Sequence, residues 1–91
     1  MRLSWTPDAA EDLYRIVQYI QEDNPGAAAR VAEILVDGCE GLIRFPRAGR
    51  TGRREGTREF VCTGLPYIVV YRIADQVVEV LRIYHGAQER P

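Results

Sequence analysis

One stretch divides the chain. From residue 44 to residue 58 it reads Arg-Phe-Pro-Arg-Ala-Gly-Arg-Thr-Gly-Arg-Arg-Glu-Gly-Thr-Arg, and it holds six of the twelve arginines, three glycines and one proline. Only Phe45 and Ala48 in it are apolar. A segment this charged cannot enter a core, because unpaired guanidinium groups are too costly to desolvate. It is either a solvated connector or a surface that meets a partner. The residues before it are patterned mainly as helix and those after it as strand. The chain must therefore be of the α+β class.

The first half opens with Arg2-Leu3-Ser4-Trp5, a short strand whose apolar residues alternate with polar ones. Thr6 then offers an N-cap and Pro7 a first helical residue. Leu13, Ile16, Val17 and Ile20 recur at helical spacing, with Ala9 and Ala10 starting the stripe. This predicts a first helix to about residue 23, roughly 17 residues. Asn24-Pro25 repeats the cap signature. A second helix of roughly 20 residues follows, with Ala28, Val31, Ile34, Leu35, Gly38 and Leu42 as its stripe and Cys39 beside it. Gly38 and Gly41 weaken such a helix and suit close approach to another backbone. The minimal link makes the two helices an antiparallel hairpin, closed by Phe45-Pro46.

Three strand-like runs follow the connector. They are 58–62, 67–73 and 77–84, separated by Thr63-Gly64-Leu65-Pro66 and by Ala74-Asp75-Gln76. Turns this short predict an antiparallel meander. With Asp75-Gln76 as a two-residue turn, Arg72 lies opposite Glu79. Simple alternation then puts His85 on the face of Arg72, and Arg82 and Tyr84 on the other.

Ninety-one residues, 46% of them apolar, fit one domain, residues 1–91, with one two-layer core. No run is long and apolar enough to span a membrane, and no signal peptide is visible, so the expected compartment is the cytoplasm. There Cys39 and Cys62 are expected as free thiols. One histidine and two distant cysteines form no zinc pattern, and no cofactor is expected. Residues 1–43 carry a net −5 and residues 44–91 a net +4, which makes the chain bipolar. Every cation is arginine, whose planar fork suits phosphate or carboxylate.

The order of strand, helical hairpin, Arg/Gly connector and meander ending at a histidine resembles the RelE/ParE superfamily of bacterial toxins. The resemblance covers nearly the whole chain. It rests on Asp12-Leu13, Ile16, Tyr19-Ile20, Asn24-Pro25, Ala27-Ala28, Arg30-Val31, Phe45-Pro46, Gly49-Arg50, Gly52-Arg53 and Gly56-Thr57-Arg58-Glu59. Further on it rests on Pro66-Tyr67-Ile68-Val69, Tyr71-Arg72, Val80-Leu81-Arg82 and His85-Gly86. The superfamily implies one fold, β-α-α-β-β-β with a small antiparallel sheet packed against a two-helix hairpin. It implies two activities. The ParE branch poisons DNA gyrase by binding. The RelE branch cuts mRNA on the ribosome without a metal.

Residue by residue, the resemblance favours ParE. Ile68 stands where the nucleases place an arginine, and Phe60 stands where they place a second basic residue on the preceding strand. His85 fits both branches, and the long helices fit ParE. The implied protein is a toxin that inhibits gyrase through Arg50, Arg53, Arg54, Arg58, Arg72, Arg82 and His85. A cognate antitoxin with a ribbon-helix-helix domain is implied to lie near Ile16, Ile20, Ala28 and Ile34. The alternatives are a nuclease acting on ribosome-bound mRNA through His85, Arg58, Arg72, Arg82 and Tyr84, or a non-toxic homologue that binds an antitoxin.

Overall fold

The computed structural model describes residues 1–87; residues 88–91, the end of the expected 1–91 domain, lie outside the described residues. Seven elements follow in order: β1 (Arg2–Trp5), α1 (Pro7–Gln21), α2 (Pro25–Gly41), β2 (Arg50–Thr51), β3 (Arg58–Val61), β4 (Tyr67–Ala74) and β5 (Val77–His85). The α+β reading holds, with the helical hairpin on one face of a small sheet.

Both helix starts form as the sequence predicts. The Thr6 hydroxyl accepts from the Ala9 N–H at 3.0 Å, and the Asn24 side chain accepts from the Ala27 N–H at 3.1 Å. The helices end at Gln21 and Gly41, earlier than expected, because Glu22–Asp23 and Leu42–Arg44 continue as turns. In α1 only Ala9 is fully buried; α2 buries Ala28, Leu35 and Cys39. Ile34 is 41% exposed and so leaves the predicted stripe.

The sheet has five strands in the order β1-β5-β4-β3-β2. It departs from the purely antiparallel expectation at one edge and gains an unexpected strand at the other. β1 pairs with β5 in parallel, Arg2 opposite Val77 through Trp5 opposite Val80. The hairpin and connector are long enough to carry the chain across to the far side of the sheet, which parallel pairing needs. The connector also contributes β2, two residues paired antiparallel to Arg58–Glu59.

The meander forms as predicted around Asp75 (φ 51°) and Gln76 (φ 63°). Two left-handed residues give the turn whose twist matches the strands. Arg72 lies opposite Glu79 as expected. Beyond that pair the register slips: Tyr71 faces Val80 but Val70 faces Arg82, leaving Leu81 as a bulge. The bulge reverses the parity of the end of β5. Arg82 and Tyr84 therefore share the face of Arg72, and His85 turns to the helix-covered face, the opposite of the simple alternation.

The core lies between the helices and this covered face. Ala9, Leu35 and Cys39 meet Cys62, Tyr67, Val69, Val80 and Ile83, with Trp5 and Phe60 packed at the margin. A second cluster of Leu42, Tyr71 and Val78 extends it toward the connector. At Gly38 helix and sheet come into close contact. A Cβ there would stand 2.8 Å from Cys62 Sγ and 3.1 Å from a Phe60 ring carbon. Gly41 has no such neighbour within 4 Å, so only one of the two glycines serves close approach. Cys39 and Cys62 are free and buried. Burial, then the neighbouring Cys62 and Glu40, pushes the Cys39 thiol up to about 12.

Candidate functional site

The arginine connector is held from below by one core residue. Tyr71 is fully buried, yet its hydroxyl reaches the connector. It donates to the Pro46 carbonyl at 2.7 Å and accepts from the Gly49 N–H at 2.9 Å. Arg58 Nη1 donates to the Gly49 carbonyl at 2.8 Å, so both backbone groups of Gly49 are engaged. A Cβ at Gly49 would lie 2.7 Å from both the Tyr71 hydroxyl and the Glu59 carbonyl, so no larger residue fits without moving the loop. Past β2, the turn closes through Gly52 N–H to Thr57 O at 2.8 Å. The arginines are thus displayed on a fixed frame, not on a loose loop.

That frame borders two hollows. The first, of about 360 Å³, opens on the sheet face away from the helices. Arg53, Arg54, Arg82 and Tyr84 line it together with Asp8 and Glu59. Acids stand among its arginines. Glu59, at 5% exposure the buried charged residue among those described, accepts from Arg50 Nη2 at 3.0 Å. Arg82 donates to both oxygens of Asp12, at 2.7 and 3.1 Å, and lies 5.0 Å from the Tyr84 ring centre. The Asp12 bond holds the Arg82 guanidinium above its ordinary pKa. Asp12 also accepts the Ile83 N–H at 2.9 Å. It therefore satisfies the part of β5 that β1 is too short to reach.

The second hollow, of about 300 Å³, lies on the other side of the connector and is lined by Arg47, Thr51, Gly56, Thr57, Arg58 and Ile73. None of these six is acidic. A third, of about 470 Å³, lies between α1 and the end of β5, where Asp12, Arg15, Tyr19, Tyr67, Arg82 and His85 meet. There the His85 ring stands edge-on to Tyr67, centres 5.6 Å apart, and its Nδ1 accepts from the Ala87 N–H at 3.0 Å. Burial, then Tyr19, raises the Tyr67 phenol above its ordinary range.

The expected target-binding residues thus occupy several places. Arg50, Arg53 and Arg54 border the first hollow or pair with its acid, and Arg58 lines the second. Arg82 borders the first and third, and His85 the third. Arg72 pairs with Glu79 at 2.7 Å in solvent. On the hairpin, Ala28 is 2% exposed and sits in the core. Ile16, Ile20 and Ile34 present surface.

Four residues escaped the sequence reading: Arg47, Thr51, Asp12 as the partner of Arg82, and Tyr71 as an anchor. Asp12 did leave a signal, since it lies on the stripe of Ala9 and Ile16. A carboxylate on an apolar stripe implies a partner.

The ParE toxin family of type II toxin–antitoxin systems, parDE, has a model that matches residues 3–90. The protein Y4kP of Sinorhizobium fredii is 41% identical over 90 residues, covering 99% of this chain and 93% of its own. Toxin RelE2 of Caulobacter vibrioides is 37% identical over 84 residues, covering 92% and 93%. Among solved structures, the chromosomal ParDE toxin–antitoxin system from P. aeruginosa superposes with a TM-score of 0.85 at 26% identity, over 93% of this chain and 95% of that one. No helix of the described residues is long and apolar enough to cross a membrane, and no acidic, histidine or cysteine group among them is arranged to hold a metal.

Proposed function

The chain belongs to the ParE toxin family of type II toxin–antitoxin systems, and from that premise we propose that it acts by binding DNA gyrase and not by cutting RNA. One observation carries this reading: the residues a nuclease would use do not converge. Of His85, Arg58, Arg72, Arg82 and Tyr84, none of the three hollows holds more than two. Arg58 and His85 belong to the helix-covered side of the sheet by register, and the other three to the opposite side. Cleavage by a ribose hydroxyl needs base, acid and cation around one phosphate. Ile68, where the nuclease arginine is expected, is apolar and buried.

The connector is instead built as a recognition surface. It is arginine-rich and hydrogen-bonded to the core through Tyr71. The hairpin residues Ile16, Ile20 and Ile34 offer apolar surface for a cognate antitoxin, which we expect to carry a ribbon-helix-helix domain. The likeness to a toxin–antitoxin system of P. aeruginosa supports an antitoxin partner.

A second reading, a ribosome-dependent endonuclease, is favoured by the third hollow. There His85, Arg82, Asp12 and a phenol held in its protonated form by burial stand together. Purified protein separates the two. Inhibition of gyrase supercoiling, with intact mRNA on programmed ribosomes, is the expected result. mRNA cleavage that His85→Ala abolishes would overturn the gyrase reading. Antitoxin pairing is checked by co-purification with the product of an adjacent small reading frame and relief of growth arrest.

A further inference from the structure

We propose that the hollow between Arg47 and Arg58 is a binding site for a phosphate group of a nucleic-acid backbone, which takes the connector beyond a protein-binding role. Two guanidiniums face one opening of about 300 Å³, wide enough for a phosphate and part of its sugar. Arg58 spends one donor on the Gly49 carbonyl, which fixes its direction and leaves the rest of its fork available. Arg47 is exposed and makes no hydrogen bond or ion pair among the described residues. Thr51 adds a hydroxyl. The Thr57 hydroxyl is committed to the Arg54 carbonyl at 2.6 Å, so Thr57 shapes the wall without donating to a ligand. Gly56 leaves the rim open, and Ile73 supplies an apolar floor on which a sugar can rest.

The charge balance selects the ligand. No carboxylate lines this hollow, whereas Asp8 and Glu59 line the one across the connector. Among the described residues no carboxylate answers these two cations, so the hollow is open to an anionic ligand. A single side-chain carboxylate is satisfied by one arginine fork. Two forks with a hydroxyl on the same wall match the several oxygens of a phosphodiester better.

The test uses the full chain without gyrase. Fluorescence anisotropy follows a labelled 12-base-pair duplex and, separately, a labelled glutamate-rich 12-residue peptide. Arg47→Gln is expected to weaken duplex binding about tenfold. It should also lower the slope of log affinity against log salt by about 1. Thr51→Val should weaken binding by less than Arg47→Gln, and Arg30→Gln, on the exposed side of α2, should leave it unchanged. An Arg47→Gln protein that binds duplex with wild-type affinity and slope overturns the proposal. So does tighter binding of the acidic peptide with the same loss on Arg47→Gln, since the occupant is then a protein segment. Because gyrase is absent, failure here leaves supercoiling inhibition to be judged separately, and failure of the gyrase reading leaves this site standing.

Discussion

The two hollows on either side of the arginine connector are built from neighbouring residues of one loop, yet they differ in what they ask of a partner. In the first, acids fold in beside the arginines. Arg50 is taken up by Glu59, and Arg82 by Asp12 at the rim. In the second, Arg47 and Arg58 meet no acid. A high arginine count therefore does not locate an anion site. What locates it is the absence of compensation, and compensation depends on which strand face each acid takes. Glu59 follows Arg58 directly, so alternation along β3 sends the acid to the first hollow and the arginine to the second.

The largest expected effect tests the frame both hollows share. Tyr71→Ala empties a fully buried site and releases Pro46 and Gly49, and should destabilise the fold by about 3–5 kcal/mol in urea unfolding. Tyr71→Phe keeps the ring but orphans two backbone groups, for a loss of about 1–3 kcal/mol. If Tyr71→Phe unfolds like wild type, the hydroxyl does not hold the connector and the two hollows are not rigidly related.

Asp12→Ala separates the hollows next. It frees Arg82 and leaves the Ile83 N–H without its acceptor. The expected cost is about 1–3 kcal/mol, toward the lower end because Arg82 is 40% exposed and solvent screens the pair. Phosphate binding in the second hollow should not change, as read by amide shifts of Thr51 and Thr57 on titration with inorganic phosphate. Equal perturbation of both hollows would show them to be one site.

A pH series defines where such measurements are sound. Cys39 stays a thiol to about pH 12 in the fold but has an ordinary value of 9.0. Above pH 9 unfolding therefore releases a proton that the fold retains. Stability from this group is full below pH 9 and is lost as pH rises toward 12, by up to about 1.4 kcal/mol per pH unit. Cys39→Ala should flatten that loss; an unchanged slope would place it elsewhere.

The smallest expected effect sharpens the charge argument. Glu59→Gln keeps a hydrogen-bond acceptor for Arg50 while deleting the negative charge. Duplex affinity should rise, by less than the roughly tenfold change expected of Arg47→Gln, because the lost charge lies across the connector from the second hollow. No gain in anisotropy titrations would mean that the first hollow was not held neutral by this acid.

Much of this molecule is legible locally. Thr6-Pro7 and Asn24-Pro25 start helices because side chain and ring act on backbone groups within three residues. Asp75-Gln76 sets the hairpin and the pairing of Arg72 with Glu79 for the same reason. The family resemblance extended that reading to the layer order and to the two rival activities. Where it stopped, a distance in the fold had intervened. Ala28 belongs to the apolar stripe either way, and only packing decides that it is core and not contact surface. Arg47 differs in no local way from Arg50, and only the course of the connector gives the one an open hollow and the other an acid.

The connector that divides the sequence thus had its composition, its place between helices and strands, and its positive charge written in the residues themselves, because those follow from composition and short-range periodicity. Which arginines remain uncompensated was decided only by tertiary structure. The bulge at Leu81 turns Arg82 to one face and His85 to the other, Asp12 reaches Arg82 from α1, and Tyr71 pins Gly49 from beneath. Each joins residues far apart in the chain, so no spacing in the sequence carries it.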